Sequence, residues 1–187
     1  GDTGDIAFLI TTMHERFPDA PLAAVAYSLG ANALLKYLDE NPGQCRLTAS
    51  VGVSAPFLLD LSAVRLEKGI SRIYQRHLIA RLKKKMKAKY QKGLTAITLD
   101  NIDSLTTFRL FDDQITAPLH GFKDVDDYYS HSSSRQYLQH IDIPTLIIHS
   151  LDDPFMTPEA IPRSDELSAQ IRLELSGRGG HVGFVDG

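Results

Sequence analysis

Between an unbroken apolar run and a helical segment, this chain leaves almost no room for a loop. Leu22-Ala23-Ala24-Val25-Ala26-Tyr27 shows no alternation, which predicts a strand buried on both faces. Ser28-Leu29-Gly30 interrupts the run at once, and Ala31 to Asp39 reads as a helix that Asn41-Pro42-Gly43 stops. A strand that feeds straight into a helix is a unit of a parallel α/β sheet. The rest of the chain repeats it. Asp2 or Thr3 is placed to cap a first helix, in which Ile6, Leu9, Ile10 and Met13 recur at helical spacing. Leu47 to Ser54 predicts a second strand and Pro144 to His149 a third. Ile171 to Leu175 predicts a fourth, alternating as a strand near a sheet edge does. A short helix from Pro158 to Leu167, broken at Pro162, is expected between the last two. The reading is α/β, with a parallel sheet of about four strands.

Residues 62–140 break that rhythm. They read as helices over roughly Ala63 to Lys92, Asn101 to Phe111 and Val125 to Tyr137. This gives a core in two parts, 1–61 and 141–187, with a helical insertion at 62–140. The insertion is also where the charge is uneven. Eleven Lys and Arg lie between Arg65 and Lys92 against one acid, Glu67, so the segment carries +10 in a chain of net −3. A basic helix of this kind reads as a solvated face, or as a contact with a membrane surface or polyanion. In a parallel sheet the loops after strand ends surround the site, so the insertion is expected over or beside Ser28.

Ala26-Tyr27-Ser28-Leu29-Gly30 suits an ordinary serine N-cap. It also suits a nucleophile elbow, where a serine on a tight strand-to-helix turn has small residues two places before and after it. Ala26 and Gly30 are those residues here. Such a turn aims the Leu29 N–H and the positive end of the new helix at one spot, as a developing oxyanion requires. A serine hydroxyl needs a base. Of seven histidines, His181 lies in Gly177-Arg178-Gly179-Gly180-His181-Val182-Gly183-Phe184, directly after the fourth strand. An acid that orients the imidazole is available in Ser150-Leu151-Asp152-Asp153-Pro154, just past the third strand. Asp153 is favoured because the following proline holds it extended. Its neighbour Asp152 has the same chemistry, and Asp60, after the second strand, is a weaker candidate. The order serine, acid, histidine across three strand ends is the α/β-hydrolase order.

Other chemistries find little support. The acidic balance argues against nucleic acid as a partner. No phosphate-binding loop motif occurs, and Gly177-Arg178-Gly179-Gly180 opens no clear helix for a dinucleotide. His120, His131, His140 and His149 lack metal-ligand spacing, so neither metal nor cofactor is expected. The single cysteine, Cys45, precludes an internal disulfide framework and suits a cytoplasmic setting. No apolar run reaches the length of a membrane span.

The motifs together resemble the YheT-like branch of the α/β-hydrolases. They include Ala26-Tyr27-Ser28-Leu29-Gly30-Ala31-Asn32, Val53-Ser54-Ala55-Pro56-Phe57, Glu67-Lys68-Gly69 and Tyr74-Gln75-Arg76. Further along stand Phe111-Asp112-Asp113-Gln114-Ile115-Thr116-Ala117, His120-Gly121-Phe122, Asp152-Asp153-Pro154-Phe155-Met156 and Gly179-Gly180-His181-Val182-Gly183-Phe184. The resemblance covers nearly the whole chain. It implies a serine carboxylesterase with Ser28 as nucleophile, Asp153 as acid, His181 as base and a small-molecule ester as substrate. A thioesterase or lipase on the same residues is the alternative, as is a non-catalytic scaffold that holds an acidic partner or membrane through the basic insertion, which resembles a cap. Strands that precede the first helix in that family, with a second oxyanion donor, are absent here. The 187 residues therefore read as an excerpt of a larger hydrolase, and the Leu22 to Tyr27 strand is expected to present an apolar edge.

Overall fold

The computed structural model describes residues 3–95 and 97–184. They form two units, residues 1–59 with 132–187 and residues 60–131.

The first unit is built on a parallel sheet of β1 (Ala23–Tyr27), β2 (Ala49–Val53), β3 (Thr145–Ser150) and β4 (Ile171–Ser176), in that spatial order. The register aligns Tyr27 with Val53 and Val53 with Ile148, so the strands end at one level and the segments after them leave the sheet together. Buried hydroxyls of Ser50 and Thr145 meet at 2.8 Å between β2 and β3. The helix α1 (Gly4–Arg16) precedes β1, and α2 (Leu29–Glu40) follows it directly. Asp2, one of the two expected caps of α1, lies outside the described residues. Thr3 stands at the N-cap but does not cap; its hydroxyl donates to the Glu40 carboxylate instead.

The core lies against α2. Ala31, Leu34, Leu35 and Leu38 pack with Phe57, Leu138, Ile141 and Ile147, all buried. Leu138 belongs to a 3-10 helix, Ser134–His140, within the span expected for the insertion. A buried side chain on α2 holds it in the first unit. Asn32 donates through Nδ2 to the Ser132 carbonyl at 2.7 Å and accepts at Oδ1 from the Ser134 N–H at 2.9 Å. The second unit therefore ends earlier than residue 140. The helix expected from Pro158 to Leu167 is two 3-10 turns, Pro158–Ala160 and Ser164–Glu166, as the proline at 162 dictates.

β1 differs from the both-face-buried strand read from its composition. It lies at a sheet edge among the described residues, and Val25 and Tyr27 on one face are 58% and 57% exposed. The expected apolar edge is there. β4, at the opposite edge, alternates from Ile171 to Glu174 as its sequence does, but Leu175 is exposed beside Glu174.

The second unit contains α3 (Leu59–Leu66, whose first residue belongs to the first unit), α4 (Ser71–Gln91), α5 (Phe108–Phe111), α6 (Ala117–Leu119) and α7 (Val125–Ser132, whose last residue returns to the first). The single helix expected over Ala63 to Lys92 is two helices, because Gly69 adopts φ +54° and breaks the first from the second. The helix expected from Asn101 is a 3-10 turn at Ile102–Ser104. α5 begins later, where the Thr107 side chain accepts from the Leu110 N–H. α5 and α6 join through a π-helical turn, Asp112–Thr116. Asp112 in that turn accepts from the hydroxyls of Thr116 (2.6 Å) and Tyr129 (2.9 Å), and burial raises its carboxyl above the usual range. Ile79, Met86, Ile102, Leu105, Phe111 and Ile115 make this unit's own core.

Candidate active site

Ser28 sits between β1 and α2 with φ +51° and ψ −128°, a backbone conformation that costs a non-glycine residue about 1–3 kcal/mol. Bonds on both sides hold it there. Its N–H donates to the Val53 carbonyl at 2.8 Å, and its carbonyl accepts from the N–H groups of Ala31 (2.9 Å) and Asn32 (3.2 Å). The N-cap reading is thereby settled, since the side chain caps nothing. Leu29 is the first residue of α2, so its N–H has no intrahelical acceptor. The small residue at Gly30 is not required by crowding, because a Cβ there meets nothing within 4 Å among the described residues.

The Ser28 hydroxyl lies 2.9 Å from Nε2 of His181, whose Nδ1 lies 2.8 Å from Oδ2 of Asp153. The Asp153 side chain is 1% exposed and that of His181 13%. An ionised carboxylate only accepts, so this chain requires the proton on Nδ1 and leaves the Nε2 lone pair facing the serine O–H. The other Asp153 oxygen accepts from the Phe155 N–H at 2.8 Å. The Phe155 ring lies against the imidazole, with centroids 4.3 Å apart.

Asp152 does not join this chain. Its Oδ1 accepts from the Gly180 N–H at 2.8 Å and from the Ser150 hydroxyl, which together hold its carboxyl below the usual range, the Ser150 bond most strongly. It therefore ties the loop after β3 to the loop that carries His181. That second loop is tight. Gly180 has φ +57°, and the Gly179 carbonyl accepts from both Gly183 (3.2 Å) and Phe184 (3.0 Å). A Cβ at Gly179 would stand 2.7 Å from the Phe184 ring and 3.2 Å from Ser150 Cβ. Asp60, the weaker acid candidate, is an exposed residue in the first turn of α3.

Three contributions were not read from the sequence. Asp152 as a loop tie needs the spatial meeting of two segments. The Phe155 ring contact needs the turn that Pro154 makes. The third is His149 on β3, which is 1% exposed with neither ring nitrogen hydrogen-bonded among the described residues. Burial pushes its pKa down, against the pull of the Asp153 charge. The Phe57 ring is 5.7 Å away.

The family model for the alpha/beta hydrolase fold matches residues 2–187. The chain belongs to the α/β-hydrolase family. The chain is 42% identical over 189 residues to YheT of Escherichia coli strain K12, whose name assigns it provisionally to the esterases. The match covers all of this chain and 56% of that protein. It is 28% identical to the phospholipase ABHD3 of Bos taurus, again over all of this chain and 46% of that one. The chain thus spans about half the length of these curated relatives. Among solved structures, the Pyrococcus furiosus esterase Pf2001 shares the fold with a TM-score of 0.53 at 14% identity, covering 97% of this chain and 55% of that one. Among the described residues, no helix is long and apolar enough to cross a membrane.

Proposed function

We propose that the hydrolase cleaves carboxylic esters through an acyl-enzyme at Ser28. His181 takes the Ser28 proton at Nε2 as the serine oxygen attacks the ester carbonyl. Asp153 keeps the imidazole in the competent tautomer and stabilises the imidazolium that forms. The Leu29 N–H, at the positive end of α2, donates to the oxyanion. His181 then returns the proton to the departing alcohol, and water attacks the acyl-enzyme with His181 as base again. The steps draw on the chain, the ester and water alone.

The observation that carries this reading is the continuous chain from buried Asp153 through His181 to a serine held at positive φ. A buried carboxylate and a strained serine both cost stability, and their meeting at one imidazole gives that cost a use. Relatives named as an esterase and a phospholipase favour an oxygen ester, with lipid esters inside the range to be tested. The experiment is fluorophosphonate labelling of the full chain with mapping of the modified residue. Short-chain esters, thioesters and phospholipids are then assayed on wild type and Ser28→Ala. Labelling at Ser28 and a loss approaching about 10⁶-fold in ester turnover are expected. Undiminished hydrolysis by folded Ser28→Ala overturns the mechanism, and faster thioester turnover moves the substrate class.

A further inference from the structure

One side of α4 belongs to the core of the second unit. Gln75, Ile79 and Met86 are buried along it, with Leu82 packed beside them. These positions recur at three- and four-residue steps and so form one stripe. The opposite side begins with Ile70, at the N-cap, and Ile73, which are 66% and 64% exposed, and the Tyr74 ring beside them is half exposed. Two turns further on, the same outward side passes to Arg81 and Lys84, with Lys85 on its flank, all exposed. None of these three pairs with a carboxylate among the described residues. Two neighbouring cations on the other flank behave differently: Lys87 bonds Asp103 at 2.8 Å and the Lys83 ammonium donates to the Asp103 carbonyl at 2.9 Å.

The outward side thus joins an apolar step to an unpaired cationic one. Cations alone would solvate a helix, and exposed isoleucines work against that role. An acidic protein surface would answer the cations and leave the isoleucines in water. An anionic bilayer answers both, with phosphates at the headgroup level and an acyl boundary just beneath. The distances agree with a helix lying flat, since the twelve steps from Ile73 to Lys85 span about 18 Å of axis. The chain's overall charge of −3 does not oppose this, because charges beyond about 8–10 Å are screened at physiological salt and the segment itself carries +10.

We propose that the outer side of α4 is a docking surface for an anionic lipid bilayer. Ile70 and Ile73 enter the acyl boundary, and Arg81, Lys84 and Lys85 meet the headgroup phosphates. This rests on α4 alone and is independent of the reaction assigned to Ser28.

The test is co-sedimentation of the full chain with vesicles of phosphatidylcholine, with and without phosphatidylglycerol. Two variants are compared with wild type: Arg81→Gln with Lys84→Gln and Lys85→Gln, and Ile70→Ser with Ile73→Ser. All five positions are exposed, so both variants are expected to keep the wild-type circular dichroism and hydrolysis of a soluble ester. Wild type should bind the anionic vesicles at low salt. The triple variant should lose about 100-fold in partitioning, from the roughly five-fold that each cation near such a surface adds. Raising salt should erase the difference between it and wild type. The isoleucine variant should lose affinity for the same vesicles at high and low salt alike. Equal sedimentation of wild type and both variants overturns the proposal, as does absence of wild-type binding at low salt. A concentration-dependent self-association that Ile73→Ser abolishes, without vesicle binding, assigns the surface to a second copy and also overturns it.

Discussion

Asp152 and Asp153 are consecutive residues that grip the same histidine loop at different points, one on its backbone and one on its imidazole. Asp153 reaches His181 Nδ1 at 2.8 Å, whereas Asp152 reaches the Gly180 N–H at 2.8 Å. Substitution should separate them. Asp153→Asn keeps the shape but presents an amide to Nδ1, which favours the wrong tautomer, and ester turnover should fall by about 10⁴-fold. Asp152→Asn loosens the loop, a displacement that costs at most about 100-fold. Steady-state kinetics of both variants decide the matter, and equal losses would falsify the assignment.

At position 28, glycine and alanine should both be inactive, and glycine should be the more stable of the two. Ser28 occupies φ +51°, which alanine shares as strain and glycine does not. Ser28→Gly is expected to unfold about 1 kcal/mol later than Ser28→Ala in urea. If alanine proves the more stable of the two, the backbone at this turn is not under load.

Two glycines of the site motifs should respond in opposite ways to alanine. At Gly179 a Cβ would run into the Phe184 ring and Ser150, so the loop must shift and carry His181 with it. Turnover should drop by about 100-fold with a smaller effect on KM. Gly30 has open space and an ordinary φ, and Gly30→Ala within α2 should gain about 0.5–1 kcal/mol of stability. Thermal melts and kinetics on the same pair check both halves.

Acid should find His149. Its folded-state pKa lies below the ordinary value of about 6.5 because burial disfavours the imidazolium. In the window between the two values the unfolded chain binds more protons than the folded one, so stability falls as pH drops below about 6.5. His149→Leu removes that proton uptake, and neither lost nitrogen has a hydrogen bond among the described residues to forfeit. The variant's stability should depend less on pH between about 6.5 and 5, measured by urea unfolding at each pH. A slope as steep as that of wild type places the acid sensitivity elsewhere.

Local pattern carried most of the first unit. The run at Leu22 to Tyr27, the turn at Ser28 and the glycines around His181 are contiguous signals, and each falls where the backbone makes that element. Local pattern is silent where distant segments decide the outcome. Asn32 looks like any polar residue in a helix, yet its two bonds to Ser132 and Ser134 move the boundary of a unit. The composition of β1 alone reads as a sheet interior, and its place at an edge follows from strand order and not from its own residues. In the second unit periodicity ran through the Gly69 break, because a single positive-φ residue leaves the apolar spacing on either side intact. The choice between Asp152 and Asp153 was legible only through proline and family resemblance, since adjacent carboxylates differ in direction and not in chemistry.

The Ser28 to His181 bond closes a loop of 153 residues, whereas His181 and Asp153 are 28 apart. Closing a long loop is paid in chain entropy before any contact rewards it, and pairings of such separation form slowly. The acid and the imidazole can meet once β3 and β4 pair, but the hydroxyl arrives only when β1 has joined β2 and β2 has joined β3. Regain of activity during refolding is therefore a clock for the last strand pairing rather than for collapse or helix formation. Dichroism should recover first, and nucleophilic competence should trail it.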